Sequence, residues 1–380
     1  MRGCAELRII ICNSSHDSIF PTKELELILI GLAGLVSLLA WWGTSRLCRR
    51  TSKLFLLDHP NSRSLHEVPT PRTGGVAIIG SLFLGLIAAR GLGLLVMSED
   101  LLWLGRVDVK TWILSLTMLL GLVSFIDDRG GVPVWFRFGC QLAASGILAL
   151  GASLVLPAIE VPHVGTVELG WVGVPVTILL LAWLTNLYNF MDGMDGLAGG
   201  MTVLGGGFLA YFAWQAGHDF ILVSALLLSV SSAGFLWYNF PPAKIFMGDV
   251  GSIPSGFLCG ALIILGCRDR VFDFWVPLIL FSPFILDATA TLVGRVWQRE
   301  KIWVAHREHY YQRLVLSGWG HRKTVLAEYA VMTLCGGLAL FYQYASEDWR
   351  LVVLGIWAVV FLSLALAIKG MEHRKQPVGS

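Results

Sequence analysis

The chain has 380 residues and a formal net charge of +2; 55% of its residues are hydrophobic and only 14% charged. Soluble chains carry about 25% charged residues, so composition argues against a soluble enzyme, and the small net charge gives no field for nucleic acid. The seven cysteines form no CxxC pair and read as small hydrophobes, not as zinc ligands or a disulfide scaffold.

Residues 1–24 are polar and lack the layout of a signal peptide, so they are expected to form a tail. Then come about eleven stretches that approach the roughly 20 apolar residues a helix needs to cross a bilayer. They cover 25–43, 74–96, 110–126, 135–156, 171–190, 198–214, 219–238, 252–267, 274–294, 324–343 and 350–369. Little is left for a soluble domain. The expected fold is one all-α polytopic membrane domain over 25–369, with a tail at 370–380.

Lys and Arg orient the bundle. The loops 44–73, 127–137, 191–197, 239–251 and 295–323, with the C-terminal tail, hold 19 of the 28 basic residues. The positive-inside rule makes this set cytoplasmic and puts the N-terminus outside.

Five aspartates fall on that same side: Asp127, Asp128, Asp192, Asp195 and Asp249. A charge at mid-bilayer costs roughly 2.5–3.5 kcal/mol on insertion scales, so acids at membrane edges are paired or used. Asp127 and Asp128 end the third span in FIDDRGG. Adjacent carboxylates repel, which suits a general base or a metal partner. The bland reading is an acidic helix end neutralised by Arg129, but acids at a helix C-terminus oppose the dipole.

NLYNFMDGMDGLAGG closes the fifth span. Asn186 and Asn189 are three apart and share a face; Asp192 and Asp195 repeat that spacing, and the glycines permit a tight turn beside an anion. The closing Glu of an EF-hand is absent. In FMGDVGS, Asp249 precedes a helix and can hold a cation, although Asp249 or Ser252 as a plain N-cap is equally ordinary.

The first basic loop, DHPNSRSLHEVPTPRTGG, is rich in proline and offers Arg63, His66 and Arg72 to an anion. In HREHYYQRL, His306 and His309 would face the same way on a helix, and with Arg307 they suit a diphosphate better than a metal. The bland reading of this loop is a basic segment against anionic lipid.

These five motifs, in order from Asp58 to about Trp319, resemble the polyprenyl-phosphate N-acetylhexosamine-1-phosphate transferases, the MraY/WecA family. The resemblance implies ten or eleven membrane helices and a cytoplasmic site. It implies transfer of a sugar-1-phosphate from a UDP-sugar to undecaprenyl phosphate, with release of UMP. By resemblance Asp249 is the Mg2+ ligand, with Asn189 beside it and Mn2+ as the alternative ion. Asp127 would keep the lipid phosphate deprotonated, with Asp128 close by. Asp192 and Asp195 would shape the nucleotide or metal region, with Asn186 and Arg72 also on substrate, and His306, Arg307 and His309 would grip the diphosphate or sugar.

Two departures point away from the peptidoglycan branch. Arg307 and Glu308 stand where that branch has histidine, and Glu67 stands where it has lysine. The O-antigen or exopolysaccharide branch fits better, with UDP-N-acetylhexosamine as donor, in the bacterial inner membrane. A homodimer is left open. The alternatives are an MraY-type phospho-MurNAc-pentapeptide transferase and, from another class, an ion-coupled transporter. A transporter needs acids at mid-depth, and only Asp287, in PFILDATATL, sits there.

Overall fold

In a bilayer every backbone N–H and C=O must find a partner within the protein, and a helix satisfies them inside each apolar segment. The computed structural model describes residues 23–52, 54–60, 65–95, 108–300 and 307–373. Among these, ten helical segments are long and apolar enough to cross a membrane. The chain runs α1 (Lys23–Leu47), β1 (Leu57–Asp58), β2 (Thr70–Pro71), α2 (Gly74–Gly91), α3 (Val109–Gly130) and α4 (Val134–Gly146), the last extended by a π turn. The hairpin β3 (Ala158–Val161) and β4 (Gly165–Glu168) follows, then α5 (Gly173–Met191), α6 (Leu197–Ala216), α7 (Asp219–Asn239) and α8 (Asp249–Arg268). The last elements are α9 (Trp275–Leu280), α10 (Ser282–Trp297), α11 (Tyr310–Leu314), α12 (Gly320–Tyr344) and α13 (Glu347–His373).

The multi-pass all-α architecture is as expected, with three local differences. The expected ninth span, 274–294, is broken into α9 and α10 at Phe281. Pro283 lies in the first turn of α10, where its missing N–H and its ring do not let the preceding helix run through. The β3–β4 hairpin was not anticipated, because hydropathy windows see only a polar loop there. The last helix also continues to His373, past the expected boundary at 369.

Helix α8 is the pillar of the bundle. Every residue from Val250 to Gly266 is buried, as suits a helix that is apolar or small on all sides. It packs against α3, α5 and α2, while α7 joins α6 to α1. At Gly75 and Gly251 the backbones of α2 and α8 come so close that a Cβ on Gly75 would overlap the Gly251 backbone.

Exposed tryptophans mark both membrane borders. Trp135, Trp237 and Trp297 ring the end of the bundle that carries the five aspartates, and Trp171, Trp214 and Trp349 ring the other.

Loops at the aspartate end are stitched to the helices. Leu57 pairs with Pro71 and Asp58 with Thr70. The Phe246 N–H then donates to Pro71 O (2.7 Å), while Gly74 N–H donates to Phe246 O (2.9 Å) and Gly75 N–H to Met247 O (2.8 Å). The PTPRTGG and FMGD segments are thus one unit.

Candidate active site

Asp127 and Asp128 sit in the last turn of α3, which Gly131 closes with φ +70°. Their mutual repulsion is relieved because the two side chains diverge to different partners. Asp127 accepts the Val132 N–H (2.6 Å) and the Arg137 guanidinium (2.6 Å). Asp128 accepts the Val250 N–H (3.1 Å), so it satisfies one of the free donors at the start of α8 from a different helix. Arg72 donates to the Asp128 carbonyl (2.5 Å), with its Nε 3.8 Å from the carboxylate. Arg129, the expected neutraliser, instead lies 4.4 Å over the Phe125 ring.

Asp249 is the first residue of α8, after Gly248 at φ +72°. Neither Asp249 nor Ser252 is the N-cap; Gly248 holds that position, and Ser252 Oγ bonds back to Gly248 O (3.2 Å). The Asp249 carboxylate accepts Asn189 Nδ2 (2.7 Å) and also the Arg137 guanidinium. One arginine on α4 therefore ties the end of α3 to the start of α8.

Asp192 follows the end of α5 and lies beside the Gly248 backbone. Burial, and then the negative charges of Asp249 and Asp128, hold its carboxyl well above the usual carboxylate range. Asp195 accepts the Ala243 N–H (2.9 Å) and lies 3.2 Å from His321 Nδ1.

These groups line a polar cavity of about 320 Å³ that includes Arg72, Asp128, Asn189, Asp192, Asp195 and Asp249, with His66, Phe246, Tyr311 and His321 around them. Four of the five aspartates thus face one space, and Asp127 joins them through Arg137.

Other expected residues lie elsewhere. Asn186 shares a helix with Asn189 but turns to α4, donating to Gln141 Oε1 (2.6 Å) and Ala182 O (2.7 Å), and it does not line the cavity. His309 is buried, with Nδ1 3.1 Å from Asp287 Oδ1. It precedes α11 as the N-cap rather than lying on a helix. Arg307 is partly buried just ahead of it. His306 and Arg63 lie outside the described residues.

Asp287 accounts for the order in this loop. It accepts the Tyr310 N–H (2.9 Å) and the Tyr311 N–H (3.1 Å) as well as facing His309, so it caps α11 from α10. Tyr311 then donates to Phe190 O (3.1 Å) and lines the polar cavity. An acid engaged in this way is a structural partner and not a stage on a transport path.

Reading the sequence missed Arg137, Gln141 and His321. Arg137 had a signal: it is a lone charge inside an otherwise apolar span, and such charges are kept for a partner.

A hard divalent cation suits this donor set. Asp127, Asp128 and Asp249 face two guanidiniums, Arg72 and Arg137, an excess of one negative charge when the three acids are ionised, with Asp192 beside them as a carboxyl that burial favours neutral. Among the described residues no three His, Cys, Asp or Glu side chains form a ready-made cage. Mg2+ needs none, since it commonly takes one or two carboxylates and fills its shell with water and substrate phosphate. Asp249 is the best placed to hold it, with Asn189 fixing the orientation of the carboxylate.

Comparison with known proteins agrees with this geometry. Residues 111–267, from α3 to α8, match the model of glycosyl transferase family 4. A protein of Bacillus subtilis (strain 168), described as a probable undecaprenyl-phosphate N-acetylglucosaminyl 1-phosphate transferase, is 30% identical over 354 residues, covering 92% of this chain and 95% of that protein. The chain belongs to this family of polyprenyl-phosphate sugar-1-phosphate transferases. A decaprenyl-phosphate N-acetylglucosaminephosphotransferase of Mycobacterium tuberculosis (strain CDC 1551 / Oshkosh) is also 30% identical, over 90% of this chain and 89% of its own length. A phospho-N-acetylmuramoyl-pentapeptide-transferase of Chlorobium luteolum (strain DSM 273 / BCRC 81028 / 2530) is more distant, at 26% over 79% of this chain and 87% of its own. The transferase is therefore a multi-pass membrane enzyme, and the transporter reading is set aside.

Proposed function

We propose that this transferase moves N-acetylhexosamine-1-phosphate, with GlcNAc as the first candidate sugar, from its UDP-sugar to undecaprenyl phosphate and releases UMP. The observation that carries this reading is the meeting of Asp127, Arg137, Asn189 and Asp249 from four helices beside one polar cavity. The names of the relatives support a GlcNAc phosphate donor and a polyprenyl acceptor. Glu67 and the Arg307–Glu308 pair support this branch over the pentapeptide one. The distribution of Lys and Arg supports a cytoplasmic site in the bacterial inner membrane, with the N-terminus outside.

In the proposed step a lipid phosphate oxygen attacks the β-phosphorus of the donor. The bond from that phosphorus to the bridging oxygen breaks, and UMP leaves with the electron pair. Phosphoryl transfer is catalysed by positioning and charge neutralisation. Arg72, partly exposed at the cavity wall, meets phosphate oxygens there. Arg137 keeps Asp127 and Asp249 aligned. Mg2+ held at Asp249 would supply Lewis-acid polarisation of the diphosphate. Asp127, already paired with Arg137, acts by orienting the phosphate more than by taking a proton.

An apolar cavity of about 630 Å³ lies between Pro283 and Val293 of α10, Glu328 of α12 and Phe361 of α13. Its wall reaches Tyr310, next to Tyr311 of the polar cavity. A polyprenyl tail lying there would bring its phosphate to the acids.

The test is UMP release from UDP-GlcNAc, UDP-FucNAc, UDP-QuiNAc and UDP-MurNAc-pentapeptide, with and without undecaprenyl phosphate and Mg2+. Release from a UDP-HexNAc only when both are present is expected. No release from any donor would reject the reading, and release from the pentapeptide donor alone would move the protein to the other branch.

A further inference from the structure

His321 lies outside every motif that identifies the family site, yet it lines the polar cavity. It is the second residue of α12, and its Nδ1 is 3.2 Å from Asp195 Oδ1. Leu65 of the first polar loop lines the same cavity, with its backbone beside the ring. Asp195 is fixed independently by the Ala243 N–H at 2.9 Å. One imidazole therefore joins a rigid carboxylate on the α5–α6 turn to a loop more than a hundred positions away in sequence.

Among the described residues, most hydrogen-bonded anchors of that loop are at its β2 end. Its β1 and β2 strands are two residues each. From β2 onward it is anchored by the Pro71–Phe246 hydrogen bond. On the Leu65 side, Leu65 packs against the apolar core, His66 meets the Phe246 ring (4.9 Å) and Asp58 (3.6 Å), and His321 lies alongside. The segment so held carries His66 and Arg72, both on the cavity wall.

We propose that His321 is a positioning residue. With Asp195 it straps the first polar loop across the cavity, so that Arg72 is already in place when a nucleoside diphosphate sugar arrives. An imidazole suits this because its two nitrogens point in divergent directions, so that one ring can serve a carboxylate on one side and a second polar group on the other. A lysine ammonium would offer charge without that geometry. The proposal rests on the reading of the cavity as the donor site, and it predicts a defect in donor capture more than in the chemical step.

The experiment uses the full chain in detergent, as wild type, His321→Ala, His321→Gln and Asp195→Asn. Hydrogen exchange is followed first, without substrate. In His321→Ala, peptides covering Leu65–Arg72 should exchange about 10-fold faster or more, while those from α5 and α8 stay as in wild type. Asp195→Asn should show the same local loss, and His321→Gln, which keeps a donor and an acceptor, should recover most of the protection. Steady-state kinetics follow: in His321→Ala, KM for the UDP-sugar should rise about 10-fold or more with kcat within about 3-fold. Unchanged protection at Leu65–Arg72 overturns the strap, and so does a fall in kcat at constant KM. If no UDP-sugar is turned over, the exchange data still decide the strap, and only the donor assignment fails.

Discussion

Arg137 of α4 donates through one guanidinium nitrogen both to Asp127 of α3, at 2.6 Å, and to Asp249 of α8. It is the central cation of the site, and its side chain is three-quarters buried. Removing it leaves two acids close together with no charge between them. Arg137→Ala should lower UMP release by about 10²-fold or more and cost about 3 kcal/mol of stability. Arg137→Lys should fold better but recover little activity, because an ammonium cannot match the planar fork. Kinetics and thermal unfolding in detergent check both.

In the proposed reading Asp249 would hold the cation and Asn189 would orient its carboxylate. Asp249→Asn should abolish Mg2+ stimulation of UMP release and also the Mg2+-dependent rise in Tm measured with UDP bound. Asn189→Ala should weaken the Mg2+ response by about 10–100-fold, as losing a group that orients a metal ligand does. Mg2+ titration of activity and of Tm reads both. A Mg2+ response in Asp249→Asn equal to that of wild type would remove the assignment.

Gly248 combines a positive φ with crowding. It has φ +72°, and a Cβ there would lie 3.0 Å from Asp128 Oδ2 and overlap the Arg72 carbonyl. Gly248→Ala should cost roughly 1–3 kcal/mol from backbone strain alone and push the start of α8 away from Asp128. Activity should fall more than stability does, which comparison of UMP release with Tm would show. Gly294→Ala, where a Cβ meets open space, is the control.

At the other end of the bundle, Asp273 lies 3.0 Å from Arg350, which also reaches Glu160 at 3.6 Å. Burial, with the charge of Glu160 adding to it and that of Arg350 opposing it, raises the Asp273 carboxyl to about 6. A carboxyl whose pKa is higher folded than unfolded contributes stability below the unfolded value, near 3.9, and loses that contribution as pH rises through about 6. Asp273→Asn should therefore flatten the fall in Tm between about pH 4 and pH 7. A wild-type slope in the variant would show that another group sets it.

The helices and the acidic rim were legible because each rests on a local signal. A bilayer demands long apolar runs, and Asp127, Asp128, Asp192, Asp195 and Asn189 interrupt those runs at their ends. What could not be read depends on three-dimensional partners. Arg137 is one charge inside an apolar window, which averages it away. Asn186 looks equivalent to Asn189 on a helical wheel, but Gln141 on α4 claims it. The break at Phe281 depends on Ser282-Pro283 within a stretch long enough to read as a single span. His309 is expected at the substrate from the family resemblance and its donor chemistry, and Asp287, more than twenty residues upstream, is what its buried ring meets.

Asp287 stands between two compartments of the enzyme. It is part of the apolar wall along α10, and it also orders the segment that delivers Tyr311 to the polar chamber. Whatever displaces this side chain from the greasy side is felt on the watery side, and by thermodynamic reciprocity the reverse holds. Acceptor and donor would then not be independent guests: each one's grip on the protein would depend on whether the other is present, and the order in which they are added would leave a signature in their dissociation constants.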